Sequence, residues 1–275
     1  MSSRPTLIAQ ISDLHIKPPG LLAYGRVDTA AALERCVEAL NAFSPRPDLV
    51  VISGDLADTP LQEEYEHVKA LLEPLQIPFV AIPGNHDSRA LMRDALPGPG
   101  APSDGALNAL RRVGELDIVL IDSTVPGAAH GELDTATLKW LDEALATSST
   151  RPALLFLHHP PFVCGIGYMD KIMLRNAGAL ANVLRRHRRA LLVASGHVHR
   201  AAQTTFAGAI ATICPAGSQA CALDLEGRWP EVFMVEPPAF HLHTWFPGAG
   251  FGHVVTHLVP IGEFAGPFRF DGGVL

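Results

Sequence analysis

Short, continuous apolar runs alternate with segments of helical period along most of this chain. Residues 6–12 (TLIAQIS), 48–53 (DLVVIS), 78–82 (PFVAI), 117–122 (DIVLID), 153–158 (ALLFLH) and 190–195 (ALLVAS) read as strands. Between them, residues 29–43 carry Leu33, Val37 and Leu40 at helical spacing, with Asp28 or Thr29 as the cap. Residues 59–75 predict a helix capped by Thr59, with Pro60 at its first position and Gln62 in a capping-box-like start. Residues 134–145 and 176–187 supply two more helices. Runs of Val, Ile and Leu with no polar alternation belong to strands covered on both faces, so the pattern predicts an α/β protein.

From about Ala201 the pattern changes. Residues 209–215, 231–236, 239–246 and 253–259 look like strands separated by Gly/Pro turns, with little helix. The expected organisation is a core over 1–200 and a β-rich C-terminal segment over 201–275. No linker divides the two, and the best candidate for a long surface loop is LPGPGAPSDG, residues 96–105.

Composition narrows the class. The chain has 275 residues, 48 % apolar and 18 % charged, enough for a sizeable core and too apolar for disorder. A net charge of −7 argues against long nucleic acid or an anionic membrane as partner. The cationic run RRHRR, residues 185–189, reads as a helix C-terminus complementing the dipole. Four scattered cysteines form neither a zinc ribbon nor a disulfide framework. No apolar stretch approaches the roughly 18 residues of a membrane helix, and no long apolar leader follows the first methionine. A cytoplasmic protein is the expectation.

The chemistry sits at the strand ends. The first ends in SDLH (Asp13, His15), the second in SGDLAD (Asp55), the third in GNHD (Asn85, His86, Asp87). Two later ones end in LHHPP (His158, His159) and SGHVH (His197, His199). Ligands bind at this edge of α/β sheets, where loops and helix N-termini gather. Asp13 and His15 are two apart, so in an extended segment they share a face, and His197 and His199 repeat the spacing. Each pair is expected to grip a metal in chelate fashion. The pooled set Asp13, His15, Asp55, Asn85, His158, His197 and His199 mixes oxygens with imidazole nitrogens. It suits Mn, Fe, Co or Zn better than Ca or Mg, and is too large for one ion. Asp28, Asp58 and Asp122 read as ordinary caps or turns.

Taken in order, DLH, GDLAD, GNHD, HHPP and GHVH resemble the motifs of the calcineurin-like metallophosphoesterase superfamily. The resemblance implies two mixed β-sheets sandwiched between helices in four layers. It places Asp13, His15, Asp55 and His199 on one divalent ion and Asp55, Asn85, His158 and His197 on a second. His86 would face the substrate, with Asp87 orienting it from behind. GDLADTP lacks the D-R-G arginine of the protein phosphatases, while LLAYGRVDTAAAL looks like the bacterial class III cyclic-nucleotide phosphodiesterase and glycerophosphodiesterase branch. That likeness makes Tyr24, His159 and Gln219 candidate substrate contacts. Gln219, in CPAGSQACAL, stands where some relatives have histidine. The tail would complete the second sheet, cap the site and help form homodimers or higher oligomers.

The expected activity is hydrolysis of small phosphodiesters, of cyclic-nucleotide or glycerophosphodiester type, by a metal-activated hydroxide. Alternatives are a phosphomonoesterase or nuclease on the same scaffold, or a metal-poor protein-binding scaffold.

Overall fold

A computed structural model describes residues 4–96 and 105–273. Most of the loop expected at 96–105 lies outside the described residues. In chain order, β1 (Thr6–Ile11), α1 (Thr29–Ala42), β2 (Leu49–Ile52), α2 (Gln62–Leu72), β3 (Phe79–Ala81) and α3 (Arg89–Ala95) come first. β4 (Ala109–Val113), β5 (Leu116–Ile121), α4 (Thr135–Ala146), β6 (Ala153–Leu157), α5 (Ala177–His187) and β7 (Ala190–Ser195) follow. The chain continues with β8 (Ala202–Phe206), β9 (Ala209–Ile213), β10 (Ala220–Cys221), β11 (Phe233–Met234), β12 (Ala239–Phe246) and β13 (His253–Pro260).

Strands β10 and β11 pair separately as a two-stranded antiparallel sheet, and two mixed sheets hold the other strands, in the orders β13-β12-β1-β2-β3 and β4-β5-β6-β7-β9-β8. Three apolar layers show how they stack. Ile8, Val51, Ile118, Phe156 and Trp245 fill the space between the sheets. Alternate residues of the same strands, such as Ala9, Val50 and Ile52, point the other way and pack with Leu33, Leu40 and Val68 of α1 and α2. Val119, Leu155 and Val193 do the same against α4 and α5 through Leu141, Leu145 and Leu184. The central strands are thus buried on both faces because each face meets a different layer.

Four local expectations change. Helix α2 begins at Gln62, not Thr59, and has no side-chain cap. The Thr59 hydroxyl instead accepts from Lys17 Nζ at 3.0 Å, and the Thr59 N–H donates to the Glu64 carboxylate at 2.8 Å. Helix α3 and strand β4 were not evident, since α3 is one short stretch and ALRRV lacks a continuous apolar signal. In RRHRR, Arg185, Arg186 and His187 do occupy the last turn of α5, but Arg189 is buried. It donates to Asp117 at 2.7 Å and to the carbonyls of Leu145 and Arg151 at 2.9 and 2.7 Å. The C-terminal segment extends both sheets rather than one, with β8 and β9 in the larger and β12 and β13 in the smaller. Strand β12 lies antiparallel beside β1, so this part of the tail is built into the core. No described helix is long and apolar enough to cross a membrane.

Candidate metal centre

Strands β1, β2, β3, β6 and β7 end at one edge of the two-sheet sandwich, and the polar motifs converge there. Atoms of Asp13, His15, Asp55 and His199 lie within 4.8 Å of one another. His15 Nδ1 pairs with Asp58 Oδ1 at 3.2 Å, and a proton on Nδ1 turns the Nε2 lone pair inward. There Nε2 meets His199 Nε2 at 3.1 Å and Asp55 Oδ2 at 3.6 Å. His199 Nε2 stands 3.5 Å from Asp13 Oδ1.

A second group shares Asp55. His158 donates Nδ1–H to the Ser53 carbonyl at 2.8 Å. Its Nε2 therefore faces Asp55 Oδ2 at 3.3 Å and Asn85 Oδ1 at 3.2 Å. The ring of His197 lies 5.0 Å from that of His158, and His197 Nε2 is buried with no hydrogen-bond partner among the described residues. Asp55 Oδ2 thus stands between the two groups, while its Oδ1 accepts the His86 N–H at 2.9 Å.

Lone pairs converge here without enough protons or cations to separate them. Burial drives the pKa of Asp13 up to about 6, and the neighbouring Asp55 charge adds to it. Burial also opposes charging Asp55, but His158, by charge and hydrogen bond, holds its carboxyl well below the usual range. Burial resists protonation of His158, yet Asp55 outweighs it and lifts the pKa to about 9. His197 and His199 are pushed well below the ordinary histidine value by burial and by the histidines around them. Divalent cations would take the place of the proton that Asp55 draws onto His158 and would meet the lone pairs of the neutral His197 and His199 imidazoles. The orphaned His197 Nε2 and the facing His15 and His199 nitrogens fit such ions.

The backbone is bent to achieve this. Asp13, His15, Asp55, His197 and His199 all have positive φ, between 44° and 72°. Left-handed conformations of non-glycine residues disfavour the chain by roughly 1–2 kcal/mol each, and they concentrate at functional sites. They also change the pairing expected from an extended chain. His197 and His199 do not form one chelate: His199 joins Asp13, His15 and Asp55, whereas His197 joins His158 and His159. Two glycines allow the close approach. A Cβ on Gly84 would stand 2.2 Å from Asp55 Oδ1, and one on Gly54 would stand 2.3 Å from His158 Nδ1. This is the physical content of the GD and GN pairs.

The remaining candidates divide. His86 donates Nδ1–H to the Asp58 carbonyl at 2.7 Å and sets its ring edge-on to His15, 4.8 Å away. Asp87 does not orient it. The Asp87 carboxylate accepts from the N–H groups of Leu56, Ala57 and Gly84 and from the Tyr65 hydroxyl, at 2.9–3.2 Å. It fastens the GNHD turn to the GDLAD loop. His159 is fully buried, with Nδ1 on Ser123 Oγ at 2.8 Å and Nε2 on the Ala129 carbonyl at 3.2 Å. Both nitrogens are used, so it offers nothing to a substrate despite lying beside His158 and His197. Gln219 is buried too, its Oε1 turned to Ser218, and does not stand in an open mouth. Tyr24 is half-exposed, with its ring 6.4 Å from His15 and 5.0 Å from Phe233 of β11. Burial, then the carboxylates of Asp58, Asp55 and Asp13, raise its hydroxyl pKa, as expected of a group beside the centre.

Asp58 and Lys17 are additions. Asp58 bonds His15 and also Lys17 Nζ at 3.0 Å, while Lys17 reaches Glu64 at 3.3 Å. Partial burial opposes ionisation of Asp58, but these two partners outweigh it and hold its pKa at about 2. The second aspartate of the GDLAD motif was the available signal. Asp28 and Asp122 keep structural roles. Asp28 caps α1 through the Ala31 N–H at 2.9 Å, and Asp122 binds Arg89 through two nitrogens at 2.6 and 3.1 Å.

Known proteins are similar to this chain. The chain is 36 % identical over 266 residues to a probable glycerophosphodiester phosphodiesterase of Arcobacter nitrofigilis, with 96 % of both chains covered. It is 35 % identical over 196 residues to the 3',5'-cyclic adenosine monophosphate phosphodiesterase of Escherichia coli, covering 70 % of this chain and 69 % of the other. Among solved structures, a dimetal phosphatase from Danio rerio superposes with a TM-score of 0.66 at 16 % identity, covering 94 % of this chain and all of that one, a likeness of fold. The calcineurin-like phosphoesterase model matches residues 6–201, the span from β1 to just past the last histidine motif. With every strand-end motif inside that span, this chain belongs to the calcineurin-like phosphoesterase family, a family of hydrolases.

Proposed function

We propose that the protein hydrolyses small phosphodiesters at a centre of two divalent ions. Asp13, His15, Asp55 and His199 would hold one, and Asp55, Asn85, His158 and His197 the other. The observation that carries this reading is Asp55 Oδ2, which stands 3.6 Å from His15 Nε2 and 3.3 Å from His158 Nε2 and so belongs to both groups. The chemistry that such ions supply when bound is Lewis-acid polarisation of phosphoryl oxygens and a water acidic enough to attack near neutral pH. The protein's own residues do the rest. Asp58 and the Ser53 carbonyl fix the tautomers of His15 and His158, so that each presents Nε2. His86, anchored through Nδ1, has Nε2 available to carry a proton and give it to the departing alkoxide.

Diesters are favoured over monoesters by where the cations are. A diester has one negative charge and a monoester up to two, which monoester enzymes commonly meet with arginine. Arg89 is committed to Asp122, and Arg200 to Glu236 and the Cys221 carbonyl. Lys17 is held by Asp58 and Glu64. Arg26 is exposed beside Tyr24 and lies outside the ligand cluster. The phosphodiesterase names of the two relatives above agree with this choice. With Mn supplied at neutral pH, kcat/KM for bis(p-nitrophenyl) phosphate should exceed that for p-nitrophenyl phosphate by at least about tenfold, roughly 1.4 kcal/mol in transition-state binding. A monoester preference in side-by-side kinetics would reverse this assignment.

A further inference from the structure

Beneath the centre, one polar side chain crosses the apolar layer between the sheets. Gln10 on β1 is wholly buried. Its Nε2 donates to Ser53 Oγ at 2.8 Å, at the end of β2, and to the Ser195 carbonyl at 3.1 Å, at the end of β7 in the other sheet. Its Oε1 accepts from His243 Nε2 at 3.0 Å, and His243 Nδ1 accepts from the Thr256 hydroxyl at 2.8 Å. The Ser195 carbonyl can only accept, so the amide orientation follows, and with it the tautomer of His243. Burial holds His243 neutral.

An apolar residue would fill this position without the desolvation that a buried amide suffers. What the amide adds is direction. It joins Ser53, whose carbonyl holds His158 Nδ1–H, to Ser195, which precedes Gly196 and His197. The Gly196 N–H in turn donates to the His158 carbonyl at 3.0 Å. His158 and His197 come from different strands, and Gln10 is bonded to the residues from which both are hung.

We infer that Gln10 is a positioning residue that locks the two sheets in register beneath the His158 and His197 pair. This rests on the reading that those histidines hold the second ion. His243 and Thr256 fix the amide from behind. Such outer partners typically change metal affinity by 10–100-fold when removed.

The test is calorimetric titration of Mn(II) into chelator-stripped wild type, Gln10→Met, His243→Phe and the double variant, with melting curves of the same samples. Gln10→Met strands the His243 N–H, so its Tm should fall. Its affinity for the second ion should weaken about tenfold or more, with the first little changed. His243→Phe removes that stranded donor and keeps the contact with Phe156, whose ring is 5.8 Å away. His243→Phe by itself strands Gln10 Oε1, so the double variant, which strands neither partner, should melt above both single variants yet keep the weakened second site. If affinity returns together with Tm, the amide serves stability alone and the inference is overturned. Unchanged affinity in Gln10→Met overturns it as well. Wild type that binds fewer than two ions removes instead the dinuclear reading beneath it.

Discussion

Asp55→Asn should lose about 10³-fold or more in kcat/KM and should retain fewer than two ions after reconstitution. The carboxylate oxygen shared between His15 and His158 is the one contact both groups have in common. An amide keeps the shape and can still accept the His86 N–H through Oδ1, so folding is not the first casualty. It removes the negative charge from between the His15 and His158 imidazoles, and metal ions supply several kcal/mol of transition-state stabilisation, at 1.36 kcal/mol per decade of rate. Metal analysis of the reconstituted variant beside its kinetics decides the matter. Two tightly held ions with near-normal turnover would falsify the bridging role. Chelation of the wild type should abolish activity in the same way, and Mn, Co or Fe should restore it.

His86→Ala should behave differently. Two ions should remain, while kcat falls by roughly 10² to 10³, the usual loss for one donor aimed at developing charge. The expectation follows from how the ring is held. Nδ1 is spent on the Asp58 carbonyl, and the backbone N–H is spent on Asp55, so the side chain is braced by the centre with Nε2 left over. His86, His15 and Asp58 nevertheless have ligand atoms within 4.8 Å of one another. Metal content is therefore the discriminating measurement. Loss of an ion in His86→Ala would make His86 a ligand and require a new division of the GNHD motif. An unchanged Tm in the presence of Mn would show that the rate loss does not come from a disturbed fold.

The strands and the edge at which the chemistry gathers were legible because both follow from local pattern. Runs such as LVVI and ALLFL can be stable only when covered on both faces, and the residues after such strands necessarily lie at one sheet edge. Helix α1 was legible for a similar reason, its cap and its apolar spacing lying within one short stretch. What failed was whatever depended on a partner distant in sequence. Thr59 looks like a cap, but Lys17 and Glu64 compete for its hydroxyl and N–H, and α2 starts later. Asp28 and Asp58 look equivalent, yet only Asp58 meets His15. His158 and His159 are adjacent and chemically identical. The chain turns one toward Asp55 and the other toward Ser123 and Ala129.

By itself the residue pattern determined an α/β protein with strands covered on both faces and the side-chain types delivered to one sheet edge, because hydrophobic burial and side-chain chemistry are properties of short segments; the pair of stacked sheets was implied only by the motif resemblance. Spacing alone paired His197 with His199, and the tertiary structure groups them apart. Past Ser12 and Ser195 the chain leaves the strand through left-handed residues, which places His197 and His199 in separate groups and sets Asp55 between them. Those conformations are unfavourable locally. They persist because packing around Gly54 and Gly84, and hydrogen bonds from the opposite sheet, outweigh the local preference.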